Sequence, residues 1–129
     1  MTTLAQLERY KTVQVRTSSP GEILVMLFDG LVRFLEEARS AMQNGDRACA
    51  GKKIGKAHAI LAHLLATIDP THAPDLATNL DALYHFSMGL VTRANLTQDP
   101  ALIGDAIRVI RPLQEGFASA VRGSKGAMP

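Results

Sequence analysis

Apolar residues recur at every third or fourth position along most of the chain, and polar or breaking residues interrupt that rhythm at Asn44-Gly45, at Asp69–Pro74 and at Thr97–Pro100. Spacings of three and four place side chains on one face of a helix, so the pattern predicts four helices separated by short turns. The predicted spans are about 19–43, 46–68, 75–96 and 99–122. No alternating strand pattern competes with them.

The first helix is marked at its start by Ser19, Pro20 and Glu22. Ser19 can accept from the Glu22 amide, Glu22 can reach back, and Pro20 sits where no N–H is missed, which is a capping box. Ile23, Leu24, Leu27, Phe28, Leu31, Val32, Phe34, Leu35, Ala38 and Met42 then cover roughly 200° of the helical wheel, about twice the stripe one core requires. Asp29, Arg33, Glu36, Glu37 and Ser40 hold the remainder. An arc that wide serves either a large interior or a core and a partner together.

Asn44-Gly45 ends this helix and Asp46 caps the next, whose stripe of Ile54, Ala57, Ile60, Leu61, Leu64, Leu65 and Ile68 is narrower, roughly 140°. So short a link makes the two helices antiparallel neighbours. The third helix, with Leu76, Leu80, Leu83, Tyr84, Phe86, Leu90, Val91 and Ala94, again spans roughly 200°. Asp99 caps the fourth and Pro100 opens it. Pro112 interrupts that helix on its polar side, where water can satisfy the freed Arg108 carbonyl, so a kink is expected there and an end at Gly123. The fold class is therefore all-α, an antiparallel four-helix bundle over 19–122, with a disordered tail over 123–129.

Residues 1–18 follow no single period. They read either as a frayed terminus or as a mobile arm, partly a short helix, whose Tyr10, Val13 and Val15 lie on an apolar groove of the body.

The chain has 129 residues, one domain's worth and too few to surround a helix on every side, which favours the partner explanation for the wide faces. A formal net charge of +2 without dense Lys/Arg clustering speaks against nucleic acid as a partner. Lys52, Lys53 and Lys56 form the one local cluster, a pattern found more often on a solvated helix face than at a phosphate site. The single cysteine, Cys49, can build neither an internal disulfide nor a cysteine-based zinc site, and fits a reducing compartment. The N-terminal residues lack the basic and apolar regions of a signal peptide and no apolar run is long enough to span a bilayer, so a cytoplasmic protein without membrane insertion is expected.

Candidate chemistry is sparse. His58 and His63 are five residues apart and point to different sides of their helix, and no Glu-x-x-His pair exists to build a carboxylate-bridged metal centre. His85 and Asp81 share a polar face and suit a solvated pair. A histidine phosphotransfer bundle would need only an exposed mid-helix histidine such as His85, but also basic groups to hold the phosphoryl oxygens, and only Arg93 is near. Neither a phosphate loop nor a nucleophile motif is present. The sequence predicts no enzyme activity, no metal and no cofactor, and leaves a phosphotransfer module and a generic helical adaptor as alternatives to a dedicated binding protein.

The stretch from Thr17 to Ala38, T-S-S-P-G-E-I-L-V-M-L-F-D-G-L-V-R-F-L-E-E-A, resembles the S-P-x-x-L-I-x-M-L-Y-D-G-x-x-x-F-L-x-x-A signature of the flagellar secretion chaperone FliS family. The likeness continues through Lys56-Ala57, Asp69, Asn79-Leu80, Leu83-Tyr84, Ala94-Asn95, Asp99 and Leu102, and covers Tyr10 to about Phe117. Phe28 stands where the family usually has Tyr, Phe117 where it has a late Trp, and Pro112 is unusual in its helix. The resemblance implies a cytoplasmic chaperone that holds the disordered C-terminal segment of flagellin, prevents its premature polymerisation, keeps it competent for type III export and helps deliver it to the membrane export gate. It also implies an N-terminal arm, with a Tyr matching Tyr10, that covers part of the groove in the empty state. The partner-binding residues expected on this basis are Tyr10 and Val13 from the arm, the outer positions Ile23, Leu27, Leu31 and Phe34 of the first helix, and Leu80, Leu83, Tyr84 and Val91 of the third, with Asn79 as a polar anchor. The same apolar positions also suit a plain core.

Overall fold

The computed structural model describes residues 19–126, with side chains as far as 123. Tyr10, Val13 and the expected arm lie outside the described residues. Four helices fill the described chain: α1 (Pro20–Gln43), α2 (Arg47–Ala66), α3 (Pro74–Thr97) and α4 (Pro100–Gly126). Each helix packs on two neighbours, α1 on α2 and α4, and α3 on α2 and α4, so α1 and α3 face each other only across the diagonal. With such short links this is an antiparallel four-helix bundle.

The helix ends follow from local chemistry. The Glu22 amide donates to Ser19 Oγ at 3.2 Å, and the Cys49 amide donates to Asp46 Oδ1 at 3.1 Å. Between them the chain reverses at Gly45, whose φ of 75° is left-handed. The Gly45 amide donates to the Met42 carbonyl and the Asp46 amide to the Ala41 carbonyl, the paired bonds of a Schellman turn. At the other end of α2 the helix stops at Ala66 and not at Ile68: Pro70 disfavours helical backbone at Asp69, which instead accepts from the Thr71 amide at 2.9 Å. Gln98 closes α3 with φ 54°, a left-handed non-glycine residue, and its side-chain amide donates to the Asn95 carbonyl at 2.8 Å. Asp99 caps α4 by accepting from the Ala101 amide at 2.9 Å.

One expectation about α4 is corrected. The helix does not end at Gly123 but continues to Gly126, so the stretch 123–126 is helical; residues 127–129 lie outside the described residues. Glycine costs a helix only about 1 kcal/mol and compels an end only where the chain must turn, which nothing requires here. The helix runs on through Pro112, as expected, with Arg108 and Pro112 both exposed, so the carbonyl that loses its donor is on the solvent side.

The core is one continuous cluster along the bundle axis, built from Phe28, Leu31, Leu35 and Ala38 of α1, Ala50, Ala57, Leu61 and Leu64 of α2, Tyr84, Val91 and Ala94 of α3, and Ile103, Ala106 and Ile110 of α4. Alanines at 38, 50, 57, 94 and 106 let backbones approach where larger residues cross from the facing helix. Polar ties reinforce two of the four seams. Arg111 bonds to Glu36 and Gln114 Nε2 donates to Asp29 Oδ1 at 2.9 Å between α4 and α1, while Lys53 Nζ lies 2.7 Å from Glu37 Oε2 between α2 and α1. Among the described residues, the side-chain bonds and ion pairs of α3 all stay within α3 and its cap. Among the described residues, apolar packing alone fastens α3 to the bundle.

One flaw in that packing is polar. Ser87 of α3 is fully buried and its hydroxyl has no hydrogen-bond partner among the described residues. A buried hydroxyl left unpaired costs more than it returns, so Ser87→Ala is expected to stabilise the bundle by about 1 kcal/mol, read as a higher urea midpoint at an unchanged slope.

Candidate functional site

Leu24 of α1, Leu64 and Ile68 of α2, Leu76, Ala77, Leu80 and Tyr84 of α3 and Phe117 of α4 converge at one end of the bundle around an open hollow of about 260 Å³. This is the end at which α1 begins, α2 stops, α3 begins and α4 runs out. The α2–α3 link, Thr67 to Ala73, forms part of the hollow's wall through Thr67, Ile68, Asp69, His72 and Ala73. Leu76, in the first turn of α3, is half exposed. Gly21 allows the start of α1 to press against α4, since a Cβ there would meet Val121 Cγ2 at 3.0 Å.

Its floor is aromatic. Phe28 is fully buried, stacks on Phe117 with centroids 5.4 Å apart, and meets Tyr84 in a tilted contact at 6.4 Å. Burial pushes the Tyr84 phenol up to about 12, so it is neutral throughout the physiological range and adds no charge to an apolar site. Asp69 and His72 stand at the rim. Hydrogen bonds from Thr71 hold the Asp69 carboxyl below its ordinary value, which keeps the rim anionic at neutral pH.

A second apolar surface lies on the outer side of α3 and shares no lining residue with the hollow. Phe86 is 58% exposed and Leu96 is 75% exposed. Gly89, where an added Cβ would meet nothing, lies at the centre of a shallow depression bordered by His85, Phe86, Thr92 and Arg93. His85 Nδ1 sits 3.3 Å from Asp81 Oδ2 and 3.0 Å from the Asp81 carbonyl, both side chains being largely in solvent.

The expected contact residues separate into three groups. Leu31, Tyr84 and Val91 belong to the core, which corrects their placement on the outer part of the wide faces; only Tyr84 reaches an open surface, as the floor of the hollow. Leu80 lines the hollow, Asn79 is exposed beside it and Leu83 is half-buried on the same helix. Ile23, Leu27 and Phe34 are half-buried along a different seam: a Cβ added at Gly30, on the same edge of α1, would meet Ile60 Cδ1 of α2 at 3.5 Å, and Lys53 and Lys56 of α2 lie over the Phe34 ring. Because α1 and α3 are diagonal, the two wide faces do not merge into one groove. Leu24, Ile68, Leu76 and Phe117 were not anticipated as site residues. The α2–α3 proline loop was the available signal for Leu76, since a helix that starts beyond two prolines has no preceding turn to cover its first apolar residue.

These features define a four-helix bundle with an open apolar end and an uncovered apolar helix face, a binding scaffold in form. The family model described as "Flagellar protein FliS" matches residues 3–124, and the chain belongs to that family, the flagellar secretion chaperones. It is 34% identical over 115 residues to the flagellar secretion chaperone FliS of Vibrio cholerae serotype O1, covering 86% of this chain and 85% of that protein. It is 30% identical over 122 residues to the FliS of Salmonella typhimurium, covering 91% and 90%. In fold it is similar to a solved structure described as a flagellar chaperone from bacteria, with a TM-score of 0.75 at 17% identity over 93% of this chain and 98% of that one. Among the described residues no helix is long and apolar enough to cross a membrane.

The division between core and surface has a measurable form. Leu31→Ala, which opens a cavity at a fully buried position, is expected to cost about 3 kcal/mol in urea unfolding. Leu76→Ala and Phe86→Ala, at positions that face water, should change stability by less than about 1 kcal/mol.

Proposed function

We propose that this chaperone binds the disordered C-terminal segment of flagellin in the cytoplasm, shields it from premature polymerisation and keeps it competent for type III export, the loaded complex being the form that meets the export gate. The single observation that carries this reading is the apolar hollow to which all four helices contribute, on a chain that belongs to the flagellar secretion chaperones.

The physics is that of helix-in-groove recognition. A disordered client segment lays an apolar face over the hollow and along α3, orders into helical pieces and gives up chain entropy that the buried apolar surface offsets. Leu76, Leu80 and Phe86 supply that surface, Tyr84 and Phe117 give it a rigid floor, and Asn79 is placed to pair with client backbone. Because α3 is held by packing alone, it can adjust to a client without breaking hydrogen bonds to its neighbours. A binding bundle of this kind needs no catalytic residue, metal or cofactor.

In the same proposal residues 1–18 are an arm, separate from the bundle of 19–122, that competes for the hollow through Tyr10 and Val13. The chain leaves the bundle at Ser19, the end where the hollow opens. An occluding arm lowers apparent affinity by the fraction of time it covers the site. A chain beginning after Val15 is therefore expected to bind a flagellin C-terminal peptide more tightly than the full chain in calorimetry, and Leu76→Ala with Phe86→Ala to weaken binding about tenfold while the circular dichroism stays helical. Equal affinity with and without the arm would remove self-occlusion, and undiminished binding by the double variant would remove the hollow and α3 as the client site.

A further inference from the structure

The α1–α2 seam carries a feature that flagellin binding at the hollow leaves unused. Phe34 of α1 is half-buried, and three cations surround its ring: Arg33 at 5.1 Å, Lys56 at 5.3 Å and Lys53 at 5.7 Å from the centroid. Each contact is favourable alone, but three like charges around one ring repel one another. The carboxylate that joins them is Glu37, 2.7 Å from Lys53 and 3.8 Å from Arg33. Its hydrogen bond from Lys53, with the nearby charges of Arg33 and Lys56, holds its pKa below the ordinary value, so it stays ionised and already engaged. One carboxylate among three cations leaves the seam with a surplus of positive charge. Lys52, one residue away and exposed, adds to it.

We propose that this seam is a docking site for an acidic amphipathic helix of a partner protein, separate from the apolar hollow at the end of the bundle. The shape suits a rod. Ile23, Leu27, Gly30 and Phe34 recur at helical spacing along one edge of α1, a side chain added at Gly30 would meet Ile60 of α2, and the cations stand over the ring at one end of this half-buried apolar strip. A helix laid in the seam would place apolar residues on Phe34 and Ile60 and carboxylates within reach of Arg33 and Lys56. Charge selects among occupants. Residues 1–18 of this chain hold Glu8 against Arg9, Lys11 and Arg16, and so carry the same sign as the seam. A flat anionic membrane fits poorly, because the aromatic ring lies between two helices and not at their crest. The inference is independent of what fills the hollow.

The test uses the full chain and two synthetic helical peptides of about 20 residues, long enough to lie along most of a 24-residue helix. One is built from Leu and Glu, the other is its Leu and Gln counterpart. The acidic peptide is expected to bind in fluorescence anisotropy at least about tenfold more tightly than the neutral one, and to lose that advantage as salt is raised. Arg33→Gln with Lys56→Gln, both at exposed side chains, should lower its affinity about tenfold while leaving the affinity for a flagellin C-terminal peptide unchanged. Amide shifts on titration should centre on Phe34, Lys56 and Ile60. Equal binding of the two peptides would overturn the proposal without requiring any variant to fold. So would shifts centred on Leu76 and Leu80, dimerisation of the chain through this seam in sedimentation, or binding of anionic phospholipid vesicles with the same loss in the double variant.

Discussion

The contact on which the arrangement depends is the stack of Phe28 on Phe117, with Tyr84 tilted against it. It joins α1, α4 and α3 at one level of the bundle. Two of its members, Tyr84 and Phe117, also line the hollow. Aromatic rings suit this boundary because each offers a large rigid area on two faces, one for the core and one for a ligand, with little rotamer entropy to lose. Phe28 is the inner member and fully buried. A tyrosine there would bring a hydroxyl into a site where it must find a partner, and the phenylalanine removes that demand. Phe117, half-buried, is the outer member and forms a wall of the hollow.

Much of the fold could be read from the sequence because its signals are local. Ser19, Asp46 and Asp99 bond to the amides that a capping residue should reach, and Gly45 turns the chain left-handed. Signals that needed a neighbour misled or were missing. Gly123 resembles a stop in isolation, yet α4 passes through it, and Gln98 supplies the left-handed turn that sequence normally assigns to glycine or asparagine. The excess of apolar surface on α1 and α3 was also legible, since it is a count around a wheel. Its allocation was not. Whether Leu31 or Leu27 faces the core depends on which helices flank α1, and only the packing order shows that α1 and α3 are diagonal. Leu31 and Val91 therefore fell to the core while Leu76 and Phe86, at an end and on an outer face, remained open.

The four seams of the bundle have different characters, and this gives the molecule its division of labour. One ion pair and one amide bond fasten α1 to α4, a pair of lysines and one glutamate lie over α1 and α2, and among the described residues α3 rests on apolar contact alone. A scaffold that must hold its own shape while a disordered chain folds onto it needs such asymmetry. The fastened pair supplies a rigid reference, and the helix held only by packing supplies a surface that can adjust. Under the proposed function that asymmetry has a use: a client that arrives disordered would meet a broad, apolar surface on a member of the flagellar secretion chaperones.

The central claim is that the core closes at the aromatic stack and that the client lies beyond it. Hydrogen exchange of the full chain, measured with and without a flagellin C-terminal peptide, addresses it directly. Added protection is expected along α3 from Leu76 to Phe86 and at the end of α2 around Leu64, with the α1–α4 seam around Asp29 and Gln114 unchanged. Protection confined to the α1–α4 seam, or spread evenly over all four helices, would contradict the account.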